Sequence, residues 1–340
     1  MKTAITIFTA VVLSMLAGCD GAAEKKEPLS VKIEPLKEGK ELLTVDFQEG
    51  RSLRYRFVSS RDIALDWDPT KKSTKPGQDS VDKSSESMEM VVTYTPIEAD
   101  PYGLTTIKAT CESVKITRSK SPSGRAAPRD AVENLRGKTF TIKVNATGKI
   151  VDSSQLDELI RQIGEKAFRT STRSGRIKEP DMIADFISTQ WFLWDSVSSI
   201  EKPTEGVHAG QRWNSKLSVP TPMVMRKARD VTYMLDEIRP SEKGRLAVIL
   251  SSYSLSESVP SGWPIPYTGT FRMMGTFGFF RGYNILSLKG DGEELFNIDA
   301  GRIEKYNQQY QMQMDAVLPM PMGVSPRITI KQNLTMQLLN

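Results

Sequence analysis

Alternation of apolar and polar residues is the feature that most restricts how this chain of 340 residues can fold. The segment RSLRYRFVSS places Leu53, Tyr55 and Phe57 on one side of an extended chain and arginines on the other. The same period of two recurs in SESMEMVVTYT, KTFTIKVNATGKIVD, RDVTYMLDEI, GRLAVILSSYSLS and PRITIKQNLTMQLLN. Successive side chains of a strand point to opposite faces, so these segments predict antiparallel sheets with one apolar face. The expected fold class is mainly β with a small α part.

Two stretches have helical spacing instead. Residues 154–168 carry apolar side chains three and four positions apart, and Ser154 suits the start of a helix. Residues 180–200 repeat the pattern, and Pro180 suits a first helical position. We expect both helices to pack on the first part of the sheet.

A hairpin pattern of strand, Asn or Asp, Gly and Ile occurs twice, as FTIKVNATGKIVD at 140–152 and as LFNIDAGRIEKY at 295–306. Asn and Asp bond to their own downstream backbone and glycine supplies positive φ, so both segments predict hairpins. The repeat indicates two lobes of curved antiparallel sheet. The predicted domains are a first β lobe at 41–202, which carries both helices, and a second β lobe at 203–340.

The amino terminus has the features of an export signal. The chain begins MK and continues with an almost entirely apolar or small run through residue 15, which is too short to span a bilayer as a helix. Leu16-Ala17-Gly18-Cys19 then resembles the lipobox of bacterial lipoproteins. The resemblance implies cleavage after Gly18 and a lipid on Cys19. The alternative is an ordinary secretory signal with a chance cysteine.

The signal predicts where the protein is located. We expect residues 1–18 to be removed and residues 19–40 to form a flexible tether, because this stretch has many charges and few large apolar side chains. Acyl chains on Cys19 would hold the protein on a cell membrane, facing the periplasm or the exterior. The next residue, Asp20, resembles the inner-membrane retention signal of enteric lipoproteins.

The body of the chain also resembles a known group. The hairpin VNATGKI, a helical insertion, EGVHAGQRWNSKLSVP and the hairpin NIDAGRI are similar to a lipoprotein family of unknown function from planctomycetes and related bacteria, over residues 50 to 340. Its V-x-x-G-x-x-W element matches Val207, Gly210 and Trp213. The resemblance brings no catalytic residues. More loosely, such sheets are similar to the half-barrels of periplasmic lipoprotein carriers, which implies a concave apolar face that holds acyl chains.

Charge and cysteine content narrow the function classes. The formal net charge is +5 without a dense basic block, so nucleic-acid binding is not expected of an exported protein. With two cysteines and one histidine, the chain predicts neither a structural zinc site nor a cofactor. Because Cys19 is assigned to the lipid, Cys111 has no disulfide partner. Its place in the alternating segment TTIKATCESVKIT predicts a small buried side chain.

Candidate catalytic groups are few. A thiol or serine site would have to use His208, for which an exposed turn is expected. Carboxylates pair at Asp66 and Asp68, where a loop begins, and in KGDGEEL at 289–295, where a turn is expected. We assign no catalytic residue. The alternative function is a hydrolase that uses these carboxylates or a Cys111/His208 pair.

The most unusual run is GWPIPYTGTFRMMGTFGFFRGYNILSL at 262–288, which is rich in aromatic residues, methionine and glycine. One interpretation is a curved hairpin that lines the core, because glycines inside strands mark bends or close approach. The other is an apolar lining for a lipid-like ligand, with Phe271, Met273, Phe277 and Phe279 as candidate residues. The sequence therefore predicts a non-catalytic binding or structural protein of the cell envelope, which holds a lipid-like ligand or a partner protein on a curved sheet.

Overall fold

In a computed structural model, the described residues of the protein form one sheet of eleven antiparallel strands. These residues are 39–70, 80–118, 131–145, 150–152, 154–156, 158–159, 162, 206–218, 228–258, 282–318 and 325–339. The strands are β1 Leu53–Asp66, β2 Val81–Ala99, β3 Thr105–Arg118, β4 Thr139–Val144, β5 Ile150–Asp152, β6 Arg212–Ser218, β7 Ala228–Ser241, β8 Gly244–Leu255, β9 Gly282–Asn297, β10 Arg302–Val317 and β11 Arg327–Leu339. A short 3-10 helix, Ala131–Leu135, precedes β4.

The first and last strands pair at the centre of the sheet. The strand order is β5-β4-β3-β2-β1-β11-β10-β9-β8-β7-β6, so two meanders meet where β1 lies beside β11. Their register runs without interruption from Arg54 opposite Leu339 to Asp66 opposite Arg327. The first and last strands in the sequence therefore lie in the middle of the sheet, and its two edge strands are β5 and β6.

The prediction of a mainly β fold is confirmed, while the division into two lobes at residue 203 stays a prediction. Strands from 41–202 and from 203–340 belong to one continuous sheet. The physical reason is that β1 and β11 carry matching apolar faces, with Phe57 opposite Met336, so pairing them buries both.

Several predicted segments lie partly or wholly outside the residues that the structure describes. In the predicted helix at 154–168, residues 154–156, 158–159 and 162 have helical backbone. The predicted helix at 180–200, the signal at 1–18 and the tether up to residue 38 lie outside the described residues. No helix among the described residues is long and apolar enough to cross a membrane.

One face of the sheet is buried and the other meets solvent. In β1 the odd-numbered residues are buried and the even-numbered ones are exposed or half-buried, as the period of two predicts. We call the buried side the inner face and the opposite side the outer face. The outer face carries ion pairs such as Arg56–Glu89, which join neighbouring strands at 2.9 Å. Exposed pairs of this kind contribute little to stability, so the burial on the inner face dominates.

Two apolar clusters cover the inner face. The base cluster lies at the end of the sheet where the β2–β3 and β9–β10 turns are, and it includes Tyr55, Phe57, Met90, Val92, Ile107, Cys111, Phe296 and Met336. The distal cluster lies toward the other end of the central strands and includes Ile63, Leu65, Leu288, Met312, Met314, Ile328 and Ile330. Of these residues, none is more than 6% exposed.

Residues 39–50 form a segment that crosses the base end of the sheet and that we call the strap. Glu41 exchanges two backbone hydrogen bonds of 2.8 Å with Val207, just before β6. Farther along, the amide of Asp46 donates to the carbonyl of Gly301 at 2.7 Å, and the amide of Gly50 donates to Pro96 on β2 at 3.0 Å. Leu43, in the middle of the strap, is 2% exposed and belongs to the base cluster. The strap therefore ties the second meander to the first independently of the β1–β11 pair.

Substitution of Gly301 by alanine tests how closely the strap is packed. Gly301 has a φ of +57°, and a Cβ there would lie 2.6 Å from Cβ of Asp46 in the strap. Gly210, with a φ of +81° and nothing within 4 Å of such a Cβ, is the matched control. We expect Gly210→Ala to cost about 1 kcal/mol through its backbone conformation alone. We expect Gly301→Ala to cost about 1–3 kcal/mol more, because it also overpacks the strap.

Urea denaturation of both variants measures these free energies of unfolding. Equal losses in the two variants would show that the strap does not pack against the β9–β10 turn as described.

Candidate functional site

A band of polar side chains crosses the inner face between the two apolar clusters. Consecutive cross-strand partners from β2 to β8 are Glu86, Arg61, Gln332, Tyr310, Gly290 and Tyr253. Five strand spacings of about 4.8 Å make this row about 24 Å long. We call the buried polar side chains of this band the polar belt, and none of them is more than 7% exposed. They are Ser59, Arg61, Glu86, Ser251, Tyr253, Glu294, Tyr306, Gln308, Tyr310 and Gln332.

Four residues of the polar belt form a chain of hydrogen bonds that we call the donor relay. The hydroxyl of Tyr306 donates to Oε1 of Gln308 at 3.0 Å. The hydroxyls of Tyr253 and Tyr306 are 2.8 Å apart, and Oγ of Ser251 is 2.7 Å from the hydroxyl of Tyr253. Because an amide oxygen only accepts, Tyr306 gives its one proton to Gln308 and must accept from Tyr253, which in turn accepts from Ser251. The relay therefore has one direction, toward Gln308.

A second hydrogen-bonded chain joins the two meanders. The hydroxyl of Tyr310 on β10 donates to Oε1 of Gln332 on β11. Nε2 of Gln332 then donates to Oγ of Ser59 on β1 at 3.0 Å. The polar belt is thus continuous across the β1–β11 pair.

Two glycines in β9 let the donor relay cross that strand. A Cβ at Gly292 would lie 2.7 Å from the hydroxyl of Tyr253, and one at Gly290 would lie 3.0 Å from Cδ2 of the same ring. No side chain fits between the ring and the strand, so Tyr253 of β8 reaches over β9 to Tyr306 of β10. The expectation of a turn in KGDGEEL is wrong, because these residues lie inside β9. In the sequence, the G-x-G spacing of Gly290 and Gly292 was the signal that a neighbouring side chain packs closely against this strand.

Four buried charges accompany these hydroxyls and amides. Arg61 and Glu86 are direct cross-strand partners on β1 and β2. On β7, Arg229 is fully buried, and its guanidinium carbon lies 4.4 Å from the centroid of the Tyr253 ring, a cation–π geometry. Glu294 on β9 is 2% exposed. The formal charges of these two arginines and two glutamates balance.

Burial keeps the tyrosine hydroxyls of the polar belt protonated. It raises the pKa of Tyr306 well above its ordinary value and raises that of Tyr310 to about 12. It also raises the pKa of Tyr253, against the opposing effect of Arg229. These hydroxyls therefore act as neutral donors and acceptors.

Two buried donors of uncharged side chains on the inner face have no hydrogen-bond partner among the described residues. They are Nε2 of Gln308 and Nε1 of Trp213. Gln308 is 3% exposed, and its Oε1 is already used by Tyr306. A buried donor without an acceptor costs about 1–3 kcal/mol. The donor relay thus ends in an NH2 group that an acceptor oxygen would stabilise.

The structure does not bring the proposed thiol pair together. Cys111 lies on β3 with Ile107 and Ala109, buried as predicted, and burial raises the pKa of its thiol to about 12. His208 lies on an exposed turn before β6, eight strands away from β3 in sheet order.

Of the other predicted site residues, the Asp66/Asp68 pair is described by the structure, and the lipidation and lining residues are not. Asp68 donates its amide to Oδ1 of Asp66 at 3.0 Å, a local turn at the end of β1. No group of three or more His, Cys, Asp or Glu residues with metal-binding proximity occurs in the described part of the chain. Cys19 and the candidate lining residues Phe271, Met273, Phe277 and Phe279 lie outside the described residues.

The chain has distant structural likenesses to solved proteins. No protein-family model matches the chain, and no curated protein matches it. The chain is similar to a structure of lipid–protein interactions in lipovitellin, at 10% identity and a TM-score of 0.39, over 87% of this chain and 26% of the other. It is also similar to OccK5 (OpdH) of Pseudomonas aeruginosa, at 8% identity and a TM-score of 0.21, over 86% of this chain and 99% of the other. The chain spans about a quarter of the lipovitellin chain.

Alkaline titration tests the burial of the tyrosines. Among the described residues, burial raises the pKa values of five tyrosines, Tyr55, Tyr94, Tyr253, Tyr306 and Tyr310. A pKa that is raised in the folded state gives stability that is complete below the unfolded value, about 10, and that is lost as pH rises through the folded value. We expect these five to stay protonated at pH 10 and to ionise together when the protein unfolds at higher pH.

The measurement is tyrosinate absorbance against pH, with circular dichroism as the monitor of folding. The same titration in denaturant is the control, since every tyrosine should then ionise near its ordinary pKa. Independent ionisation of most tyrosines at pH 10 in the folded protein would contradict the described inner face.

Proposed function

We propose that this protein is a non-catalytic, lipid-anchored binding protein of the cell envelope that holds a lipid-like ligand against the inner face of its sheet. One observation supports the proposal above all. The inner face is amphipathic, with a polar belt between two apolar clusters, and the donor relay within the belt ends at Nε2 of Gln308, which has no acceptor among the described residues. Apolar walls with a few oriented polar groups are typical of ligand sites.

A purely structural core would not need the polar belt. Buried charges and amides are often replaceable by apolar side chains with no loss of stability. Buried donors without partners are rare in native proteins, and each one calls for an explanation. Recognition of a ligand with one polar group and long apolar parts supplies that explanation.

The dimensions of the inner face suit acyl chains. From Tyr310 in the polar belt to Ala316 at the end of the distal cluster, six residues of extended strand cover about 20 Å. Half of a bilayer core of about 30 Å, the depth of one acyl chain, is about 15 Å. The distal cluster is therefore long enough to lie along one chain, while the polar belt contacts its polar end.

Burial of the inner face has a kinetic consequence. Ala109, Val231, Met312 and Ile330 are all at 0% exposure. The protein itself covers these side chains, so a ligand can reach them only when the fold opens locally, and its exchange is slow. We therefore expect the ligand to remain with the protein through purification.

Native mass spectrometry tests the ligand. The Cys19→Ser variant, which lacks the proposed anchor, is produced in the envelope and purified without detergent. We expect an additional mass of one lipid-like molecule, which denaturation releases into an organic extract. The same protein after unfolding and refolding in lipid-free buffer is the control, and it should lack the added mass until it is mixed with that extract. Absence of the added mass from both the native preparation and the refolded protein mixed with extract would overturn the proposal.

Metabolic labelling tests the anchor separately. Cells given an alkyne-bearing palmitate should label the wild-type chain and not the Cys19→Ser variant, because the thiol at residue 19 is the proposed site of acylation. The Cys111→Ser variant is the matched control and should keep the label. Label on Cys19→Ser, or no label on the wild type, would contradict the anchor and leave the ligand proposal standing.

A Cys111/His208 hydrolase has no supporting observation. At a pKa of about 12, only on the order of 10⁻⁴ of the Cys111 thiol is ionised at pH 8, and the thiolate is the nucleophile.

A further inference from the structure

We propose that the strap is a hinged cover of the base cluster and that its opening is the route by which a lipid-like ligand reaches the inner face. The route rests on the proposed function and adds to it the way in, whereas the opening of the strap needs no ligand. Three features of the strap support the proposal: its few bonds to the sheet, the glycines at its two ends and an exposed ion pair that holds it closed.

The strap covers the base cluster but is bound to it sparsely. Leu43 is buried, and every other residue of the strap is exposed or half-buried. Val45 and Phe47 pack against the base cluster from outside. Among the described residues, backbone hydrogen bonds join the strap to the rest of the chain at three of its positions, whereas β11 is paired along its length on both sides. Segments with few buried contacts open at a lower free energy than paired strands, so the strap opens before the sheet does.

A glycine in the left-handed region lies at each end of the strap. Gly39 has a φ of +84° and Gly50 has a φ of +75°, and nothing lies within 4 Å of a Cβ built on either one. Glycine adopts positive and negative φ about equally well, so the chain can rotate at both positions without a steric clash. Hinges of this kind let a short segment move as one piece.

An ion pair on the surface, which we call the latch, holds the strap closed. Arg245, at the start of β8, donates from Nη1 to Oε1 of Glu41 in the strap and from Nη2 to Oδ1 of Asp299 at 2.8 Å. The side chains of Arg245 and Glu41 are 48% and 25% exposed, so water and salt weaken their attraction. When the strap opens, Glu41 moves into water while Arg245 keeps Asp299 as its partner. Opening therefore leaves no charge buried without a partner.

Movement of the strap would uncover apolar surface without breaking the sheet. Leu43 would leave the base cluster, and the ladder of hydrogen bonds between the strands would stay intact. An acyl chain could then enter at the base end against the side chains that Leu43 had covered. Of the ways to expose the inner face, this one breaks the fewest backbone hydrogen bonds among the described residues.

Hydrogen exchange followed by mass spectrometry tests the opening in the Cys19→Ser protein. We expect the amides of Glu41, Asp46 and Gly50 to exchange at least about a hundredfold faster than the interior amides of β10 and β11. Low concentrations of urea should hardly change the exchange of the strap, because its opening exposes little surface. Exchange of the strap and of both strands at one rate, with the same dependence on urea, would overturn the hinged cover.

Removal of the latch tests what holds the strap. Arg245→Gln removes the charge, and Arg239→Gln is the matched control, because Arg239 is also 48% exposed and pairs with Glu237 on its own strand, β7. We expect Arg245→Gln to speed exchange in the strap by about twofold to fivefold, the range for an exposed ion pair, and Arg239→Gln to leave it unchanged. Equal exchange in the two variants would show that the latch does not hold the strap.

A disulfide across the strap tests the route. Glu41 and Val207 exchange two backbone hydrogen bonds, which places their Cα atoms about 5.5 Å apart, within the range of a disulfide. The Glu41→Cys/Val207→Cys variant in the Cys19→Ser background is refolded without lipid, loaded with palmitate while reduced, and then divided into an oxidised and a reduced sample. Native mass spectrometry follows the replacement of palmitate by an excess of ¹³C-labelled palmitate. We expect replacement to be at least about tenfold slower in the oxidised sample, because the closed strap leaves only larger openings of the fold.

The outcomes separate the route from the proposed function. Equal replacement in the oxidised and reduced samples would overturn the route while lipid binding stands. If palmitate adds no mass to the reduced variant or to the protein with Cys19→Ser alone, the route is overturned, and the search for a copurifying ligand decides the proposed function separately. Slow replacement in the oxidised sample together with fast exchange of the strap amides would support both the cover and the route.

Discussion

The pairing of β1 with β11 is the constraint on which the rest of the structure depends. It joins residues that are more distant in sequence than any other strand pair, and it turns two meanders into one sheet. Its register also sets the inner face, because a slip of one residue would move every side chain of a strand to the opposite face. The bonds between Ser59 and Gln332 and between Tyr55 and the carbonyl of Ile303 exist only in this register.

The polar belt and the glycines of β9 form a second level that depends on that register. Gly290 lies beside Tyr310 on one strand and Tyr253 on the other, so the ring of Tyr253 has room only where these three strands align. The apolar clusters stabilise the sheet, and the belt reduces that stability in exchange for oriented hydrogen-bonding groups. This division of roles along the same strands gives the inner face two apolar surfaces with a polar band between them.

Strand identity and face could be predicted from the sequence, because both depend on local alternation. Tyr55, Met88, Cys111 and Tyr233 are buried where the period of two places them. The union of the two meanders could not be predicted, since pairing between β1 and β11 depends on residues at opposite ends of the chain. The prediction of a turn in KGDGEEL was wrong for a related reason. Glycine suits both a turn and a close approach inside a strand, and only the tyrosines on the neighbouring strands show which of the two applies here.

The polar belt could have been predicted in part from the alternation of residues in the sequence, although we did not predict it. Arg61 and Gln332 occupy the same parity as their apolar neighbours, Ile63 and Ile330, so alternation alone places both on the inner face. Polar residues at core positions are the signal, and their partners across the sheet are the part that needs the fold. The four candidate lining residues of the aromatic run remain predictions, since they lie outside the described part of the chain.

The central position of the last strand also governs the order in which the molecule can be completed. While the chain is being made, β1 has one paired side, with β2, and its other side stays open until residues 327–339 appear. Contacts this distant in sequence form late and slowly. The two meanders can therefore join into one sheet only after the strands of both have been made.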